Sequence, residues 1–134
     1  MVAYSFKACF EAPIKAGLKT QTIRGFRPRH AFAGEMLQLF VGMRTRHCRR
    51  ILPDQVCIDV MLIEIGFDEA DRQICDIRAG GVPVRDLDAF ARRDGFADLA
   101  DMSAFWRASH KISGTFHGVL IEWRDPGYVR RSAA

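Results

Sequence analysis

Residues 17–24 of the sequence read GLKTQTIR, and they follow the stretch EAPIKAG, which predicts a short helical turn. Gly17 is placed to end that turn, because glycine readily adopts the left-handed conformation common after helices. The residues after it favour an extended chain, since threonine and isoleucine are strand formers. Lys19 and Thr22 would point to opposite faces of a straight strand, because side chains alternate. They converge only if Lys19 still belongs to the turn, so a site and an ordinary turn both stay open.

The size and composition predict one compact domain over residues 1–134, because 49% of the residues are hydrophobic and can form a normal core. The sequence contains no run of about 18 apolar residues that would span a membrane. Its first residues, MVAYSFKACF, lack the charged start and long apolar stretch of a signal peptide. We therefore expect a cytoplasmic protein without a membrane partner, and the sequence leaves its oligomeric state open.

The pattern of apolar and polar residues predicts five or six strands and two or three short helices. The strand-like stretches are YSFKACF, KTQTIRGF, MLQLFVGM continuing into RTRHCRRI, QVCIDVMLIEIGF, RQICDI and GTFHGVLIEWRD. The helical stretches are DLDAFARRDGF and DMSAFWRASHK, with Asp101 as the predicted cap of the second. Too few helices alternate with strands for a doubly wound sheet. We predict an α+β fold in which a small, mostly antiparallel β-barrel carries two or three flanking short helices.

Arginine is concentrated between residues 24 and 50. This segment contains seven arginines against one acidic residue, Glu35, and the arginines are Arg24, Arg27, Arg29, Arg44, Arg46, Arg49 and Arg50. Its net charge is therefore +6, and because the whole chain carries +4, the remainder sums to −2. The guanidinium group presents a planar fork of donors that suits phosphates and base edges. The cluster favours a nucleic-acid partner, and a solvated basic face without a ligand is the alternative.

The cysteines do not predict a metal site. They are Cys9, Cys48, Cys57 and Cys75, and no two of them are spaced as C-x-x-C. A structural zinc site usually takes its four ligands as two close pairs, whereas His47 and Cys48 are the only close pair here. We interpret the cysteines as reduced and half-buried, and we expect neither a metal nor a cofactor.

Four sequence blocks occur in an order that is characteristic of one protein family. The first is Gly-x-Lys-Thr-x-Thr-Ile-Arg, complete here as Gly17, Lys19, Thr20, Thr22, Ile23 and Arg24. The second is AGEMLQLFVGMRT, the third is FARRDGF, and the fourth is FHGVLIEW. The chain thereby resembles the ASCH domains, which belong to the PUA-like superfamily of small RNA-associated β-barrels. It departs from the family pattern at Glu35 and Asp94, where the family usually has aspartate and glutamate, respectively.

The resemblance implies two kinds of function. Some small ASCH proteins are amidohydrolases that remove the acetyl group from N4-acetylcytidine, and their catalytic lysine, threonine and glutamate match Lys19, Thr22 and Asp94 here. Other ASCH proteins are linked to RNA binding or to cleavage of single-stranded RNA. Our first expectation is a domain that binds RNA or a nucleoside in a cleft around the GxKTxTIR motif, with weak single-strand ribonuclease activity. Our second is an amidohydrolase of acylated pyrimidine nucleosides, and our third is a domain that binds an acidic protein.

Several further residues are candidates for contacts with single-stranded RNA or a modified pyrimidine nucleoside. They combine hydroxyl and guanidinium groups within or after the first motif, and they are Thr20, Arg24, Arg27, Arg44, Thr45 and Arg46. Thr20, Thr22 and Arg24 would share one strand face. Phe26 and Phe32 flank the basic loop, and we interpret them as core residues, with stacking on a base as the alternative. We also assign Trp106 and Trp123 to the core.

Overall fold

Eight strands form one sheet in the computed structural model, which describes residues 1–111 and 114–127. The strands are β1 (Val2–Phe6), β2 (Gln21–Arg24), β3 (Met36–Val41), β4 (Arg49–Arg50), β5 (Gln55–Phe67), β6 (Ile74–Ala79), β7 (Val82–Pro83) and β8 (Phe116–Arg124). The helices are α1 (Glu11–Lys15), α2 (Leu87–Arg93) and α3 (Leu99–Ser109), and a 3-10 turn at Ala8–Phe10 precedes α1. The predicted α+β class with three short helices is therefore confirmed.

The long strand β5 organises the sheet. It pairs with β8 along most of its length, with β3 near its start and with β6 near its end. β8 also pairs with β2, and β3 also pairs with β1 and β4. All of these pairings are antiparallel except that of β1 with β3, which is parallel. The sheet consequently ends at β1 on one side and at β2 on another, and β2 is the second half of the first sequence motif.

The prediction of a closed barrel is wrong for the part of the chain that the structure describes. β1 pairs only with β3, and β2 pairs only with β8, so no ladder of backbone hydrogen bonds joins β1 to β2 there. A single side chain bridges the two edges, because the Arg24 guanidinium donates to the main-chain carbonyl of Ser5 at 2.7 Å. Side chains from both strands line a cavity that lies between them.

Two apolar clusters make the core. The first lies around β1, β3 and the beginning of β5, and its buried side chains include Tyr4, Leu37 and Leu39. The second packs α2 and α3 against β5, β6 and β8, with Phe90 and Met102 fully buried. Phe96 and Phe105 are packed against both clusters. The buried Trp106 and Trp123 confirm the core assignment of both tryptophans.

Aspartates define where α2 and α3 begin. The Asp86 side chain accepts a hydrogen bond from the Ala89 amide at 2.9 Å, as a helix N-cap does. At α3 the cap is Asp98, which accepts from the Asp101 amide at 2.8 Å, so the prediction of Asp101 is wrong by three positions. Asp101 instead accepts from the Ala97 amide at 2.9 Å, which gives a reciprocal arrangement similar to a capping box.

No helix among the described residues is long and apolar enough to cross a membrane.

Candidate functional site

A cavity of about 290 Å³ lies between the open edges of β1 and β2, close to the ~300 Å³ lower limit of small-molecule pockets. Its lining joins the end of β1, the first sequence motif, the residues after α2 and the C-terminal half of α3. The lining residues are Ser5, Phe6, Lys7, Phe10, Lys19, Thr22, Ile23, Arg24, Gly25, Asp94, Phe96, Phe105, Trp106 and His110. The structure thus brings Lys19, Thr22, Arg24 and Asp94 together, although Asp94 lies far from the others in sequence.

Lys19 reaches the cavity because it still belongs to the turn that follows α1. Gly17 has a φ of +74°, and the Lys19 amide donates to the carbonyl of Pro13 at 3.1 Å. β2 begins only at Gln21, so the strict alternation of strand side chains does not apply between Lys19 and Thr22. The sequence analysis required Lys19 to belong to this turn if its side chain was to converge with that of Thr22, and the structure places Lys19 there.

The Lys19 ammonium group is held by the end of α2. Its Nζ donates to the main-chain carbonyl of Asp94 at 2.6 Å and lies 3.6 Å from the Asp94 Oδ1. The Gln21 side-chain amide lies 3.5 Å from the same carboxylate oxygen. Lys19 is only 3% exposed and Asp94 only 5% exposed, so the pair is buried at the inner end of the cavity. The ring of Phe10, whose centroid is 4.7 Å from Nζ, provides a further cation–π contact.

Gly95 allows this close approach. A Cβ atom at Gly95 would lie 2.8 Å from Lys19 Cδ and 3.2 Å from Phe10 Cδ1, both shorter than ordinary van der Waals contact. The φ of Gly95 is +98°, a conformation that residues with side chains rarely adopt. Glycine is therefore required here twice, for its backbone conformation and for the space that the Lys19 chain occupies.

Burial shifts both charged groups toward their neutral forms. It lowers the pKa of the Lys19 ammonium, and the Arg24 charge adds to this effect while the Asp94 charge opposes it. Burial likewise raises the pKa of the Asp94 carboxyl, against the opposing influence of Lys19, Gln21 and Arg24. A lysine with a lowered pKa can act as a proton acceptor near neutral pH, which an exposed lysine does poorly.

Arg24, on β2, also lines the cavity. Its Nε donates to the Thr22 hydroxyl at 3.0 Å, and a terminal nitrogen donates to the Ser5 carbonyl. The guanidinium carbon lies 5.2 Å from the Tyr4 ring centroid and 4.9 Å from that of Phe6. Burial lowers the pKa of Arg24 to about 10, so the group stays charged at neutral pH. These two hydrogen bonds use two of the five guanidinium donors.

Aromatic side chains form much of the cavity wall, and the sequence analysis did not assign them to the site. Phe10, Phe96 and Phe105 contact one another, with ring centroids 5.2 to 5.6 Å apart. His110 stacks on Trp106 with ring centroids 4.3 Å apart. Burial and the nearby Lys7 lower the pKa of His110, so its imidazole is neutral at pH 7. The cavity therefore combines flat apolar surfaces with two cations and a neutral imidazole.

Five of the predicted binding residues do not line this cavity. Thr20 faces a separate cavity of about 430 Å³, so the prediction that it shares a face with Thr22 and Arg24 is wrong. Thr20 precedes β2, where its amide and carbonyl bond to Arg93 and Trp123. The other four residues lie in loops near the rim, and they are Arg27, Arg44, Thr45 and Arg46.

The turn that carries Arg44, Thr45 and Arg46 abuts the rim of the cavity. It is closed by the Thr45 hydroxyl, which donates to the Gly42 carbonyl at 2.6 Å, so the predicted extended conformation is wrong here. This side-chain bond offers the backbone an alternative to strand pairing. The neighbouring Met43 amide donates to the hydroxyl of Ser5, a cavity residue, at 3.2 Å. The turn therefore adds positive charge beside the cavity without lining it.

Phe26 and Phe32 are exposed, and their assignment to the core is wrong. Phe26 is 65% exposed and Phe32 is 59% exposed, because both lie in the loop between β2 and β3 rather than on a strand face.

Among the cysteines, Cys57 is fully buried and the other three are exposed, so half-burial is wrong for all of them. Within residues 1–111 and 114–127, no three His, Cys, Asp or Glu side chains gather as metal ligands would.

Comparisons of the chain with protein-family models, with curated proteins and with solved structures gave no match. The resemblance to ASCH domains therefore rests on the four sequence blocks alone. Two of those blocks contribute to the cavity, since the first supplies Lys19, Thr22 and Arg24 and the third supplies Asp94.

Proposed function

We propose that the protein binds a pyrimidine nucleoside, free or as one nucleotide of a single-stranded RNA, in the cavity between β1 and β2. The observation that carries the proposal is the placement of the buried Lys19 and the half-buried Arg24 beside the buried Asp94 carboxylate in a cavity with aromatic walls. Aromatic walls favour a flat base, and the remaining donors of Arg24 suit a ring carbonyl or a phosphate oxygen. The Thr22 hydroxyl can both donate a hydrogen bond to the ligand and accept one from it.

Direct binding measurements test this proposal. Titration calorimetry with cytidine, uridine and their 5′-monophosphates should give saturable binding to the wild-type protein and much weaker binding to Arg24→Gln. Titration with the larger purine nucleosides tests whether the size of the cavity limits which bases bind. The same solutions, incubated with labelled single-stranded RNA, test for the proposed weak ribonuclease activity. Absence of binding for every pyrimidine ligand would refute the proposed function.

Binding of single-stranded RNA should weaken steeply as salt concentration rises. For a single strand, the slope of log K against log salt is roughly −0.7 for each phosphate neutralised. Arg44 and Arg46 form no salt bridge with the described residues and lie beside the rim. The double substitution Arg44→Glu with Arg46→Glu should therefore lower affinity strongly and reduce the slope by about 1.4.

The matched control places the same charge change on the β6–β7 side of the sheet. Arg78 and Arg85 are both exposed, and neither lines the cavity. Arg78→Glu with Arg85→Glu should therefore reduce affinity far less than the change in the rim turn. Equal losses from the two double variants would indicate a general charge effect and contradict a local role for Arg44 and Arg46.

A second candidate function, the amidohydrolase, is favoured by the lowered pKa of Lys19 in the same cavity as Thr22. In this reaction the Thr22 oxygen attacks the amide carbonyl of an N4-acylcytidine while neutral Lys19 takes the hydroxyl proton. Lys19 returns that proton to the exocyclic nitrogen as the C–N bond breaks, and water then hydrolyses the acyl-threonine. Arg24, which already donates to the Thr22 oxygen, would stabilise the developing oxyanion.

The ligand-free geometry requires one rearrangement for this chemistry. Lys19 donates to the Asp94 carbonyl and Thr22 accepts from Arg24, and no hydrogen bond joins Lys19 to Thr22. Catalytic hydrogen bonds are often long or misaligned in ligand-free structures and form only in the complex. The substrate carbonyl would have to draw Arg24 away from the Thr22 hydroxyl, which frees that hydroxyl to meet Lys19.

Release of acetate from N4-acetylcytidine at neutral pH should depend on both side chains. Lys19→Ala and Thr22→Val should each abolish turnover, the latter because valine keeps the shape of threonine without its hydroxyl. Asp94→Ala should slow turnover and Asp94→Glu should be tolerated, since glutamate restores the family's usual acid. No acetate from the wild-type protein would exclude this candidate, whereas turnover by Lys19→Ala would assign the proton transfer to another group.

A further inference from the structure

The loop between β2 and β3 carries two exposed phenylalanines beside the charged end of the cavity. Gly25 lines the cavity, and Phe26 follows it directly with 65% of its surface exposed. Phe32, at 59% exposed, lies near the other end of the same loop. Exposed aromatic rings beside cations are the groups that proteins use to stack on nucleic-acid bases and to meet phosphates.

The loop is fixed to the sheet rather than loose. His30 Nε2 lies 2.8 Å from the Gly25 carbonyl, and His30 Nδ1 lies 3.0 Å from the Tyr4 hydroxyl. Because a carbonyl oxygen only accepts, His30 Nε2 is the donor to Gly25, while Nδ1 and the Tyr4 hydroxyl are within hydrogen-bond distance of each other. The Ala31 amide also donates to the Tyr4 oxygen at 3.1 Å. The fully buried Tyr4 thus holds the middle of the loop, and the exposed rings project from a fixed backbone.

The arginines of the loop continue the positive charge of the cavity. The guanidinium carbon of Arg27 lies 4.6 Å from the Tyr4 ring centroid, and that of Arg24 lies 5.2 Å from the same centroid. Arg27 forms no salt bridge with the described residues. Arg29 pairs with Glu35 and also lies over the Phe32 ring, with 5.8 Å between the guanidinium carbon and the centroid. Two arginines, Arg27 and Arg29, therefore lie between the two exposed rings along the loop.

We propose that residues 25–33 form a stacking platform for the nucleotides that flank the one in the cavity, so that the preferred ligand is a single-stranded polynucleotide rather than a free nucleoside. This inference rests on the proposed function for the cavity itself. Exposed rings stack on bases of any sequence, and arginines between them meet the phosphates that link those bases. Paired bases in a duplex do not present their faces, so the platform discriminates against double strands.

The test compares a free nucleoside with a chain of about eight linked nucleotides, a length within the ~4–16 range of comparable single-strand sites. Fluorescence anisotropy with labelled oligocytidine RNA should show an affinity loss of roughly 5- to 150-fold for Phe26→Ala, and a similar loss for Phe32→Ala. Calorimetry with cytidine should show unchanged affinity in both variants. Phe26→Tyr should retain oligonucleotide binding, because tyrosine keeps the aromatic face.

Leu62→Ala is the matched control, since Leu62 is 65% exposed on β5 and lies outside the cavity. Leu62→Ala should change neither the affinity for the oligonucleotide nor the affinity for cytidine. Undiminished oligonucleotide binding by Phe26→Ala with Phe32→Ala, or equally tight binding of a duplex, would overturn the platform. Competition by polyglutamate as strong as that by oligonucleotide would also overturn it, in favour of an acidic protein partner. Oligodeoxycytidine run in parallel reports whether the platform selects RNA over DNA.

The same measurements separate the platform from the cavity. If Lys19→Met leaves oligonucleotide affinity unchanged while Phe26→Ala lowers it, the platform is supported and the cavity function fails. If Lys19→Met abolishes the binding of both ligands and Phe26→Ala changes neither, the cavity function is supported and the platform fails. Both proposals are supported when Lys19→Met lowers both affinities and Phe26→Ala lowers only that for the oligonucleotide.

Discussion

Replacing Lys19 with methionine should abolish nucleoside binding and lower the free energy of unfolding by about 3–5 kcal/mol. Methionine fills a similar volume, so the loss does not come from a cavity. It arises because the buried Asp94 carboxylate, 3.6 Å from Lys19 Nζ in the wild type, loses its charged partner. Calorimetry measures the binding, and urea unfolding measures the stability.

Adding Asp94→Asn to Lys19→Met should restore most of the lost stability without restoring binding. Removing both members of a buried ion pair is often neutral or stabilising, because neither charge then has to be desolvated. A double variant as unstable as the single one would contradict the assignment of the loss to an unpaired carboxylate. Binding by the double variant would remove Lys19 from the site.

The destabilisation of Lys19→Met should also depend on pH. Burial raises the pKa of the folded Asp94 carboxyl above its usual value of 3.8 and Lys19 opposes that rise, so in the variant the folded state holds this proton still more tightly relative to the unfolded state. The resulting stability is complete below the unfolded pKa and is lost as pH rises through the folded pKa. We therefore expect Lys19→Met to lose more free energy of unfolding at pH 8 than at pH 5. A loss that is independent of pH would contradict the role given to the Asp94 carboxylate.

The second large effect is expected at Gly95. Gly95→Ala should cost about 1–3 kcal/mol of stability for its φ of +98° and should also abolish nucleoside binding. Binding is lost because the new methyl group would lie 2.8 Å from Lys19 Cδ and displace that side chain. Thermal unfolding and calorimetry on the same preparation report the two effects separately.

Gly34→Ala is the control for backbone strain. Gly34 has a nearly identical φ of +93°, but a Cβ atom there would meet nothing within 4 Å. The two variants should lose similar stability from strain, whereas only Gly95→Ala should lose affinity for cytidine. Loss of cytidine binding in Gly34→Ala would show that strain alone disturbs the cavity and would contradict the role given to Gly95.

The sequence pointed to the charged and hydroxyl side chains of the candidate site but not to the aromatic rings that line its cavity. Lys19, Thr22 and Arg24 stand together in one short motif, so the sequence alone singled out their stretch, and the resemblance to a family gave Lys19 and Thr22 their catalytic roles. Asp94 was found only through the resemblance to a family. Phe10 and Phe105 were missed, because nothing local distinguishes an aromatic ring at a cavity wall from one inside the core. Their positions depend on which strands pair across the whole chain.

The same limit explains the errors in the fold. The length of β5 was predicted from its own composition, whereas the parallel pairing of β1 with β3 depends on contacts between distant residues. That pairing leaves β1 as an edge opposite β2, and the predicted barrel stays open. Phe26 was assigned to the core because it is apolar, but composition does not tell which side of a loop faces water.

The position of Phe96 and Phe105 between the two apolar clusters limits how this cavity can be adapted to other ligands. The same rings wall the cavity and join the clusters, so trimming either ring to admit a larger molecule also removes packing between two parts of the core. Ser5, Lys7 and Gly25 line the cavity but lie outside the buried core. Directed evolution toward a new specificity should therefore accumulate changes at these rim positions first, where selection for binding is not opposed by the need to fold.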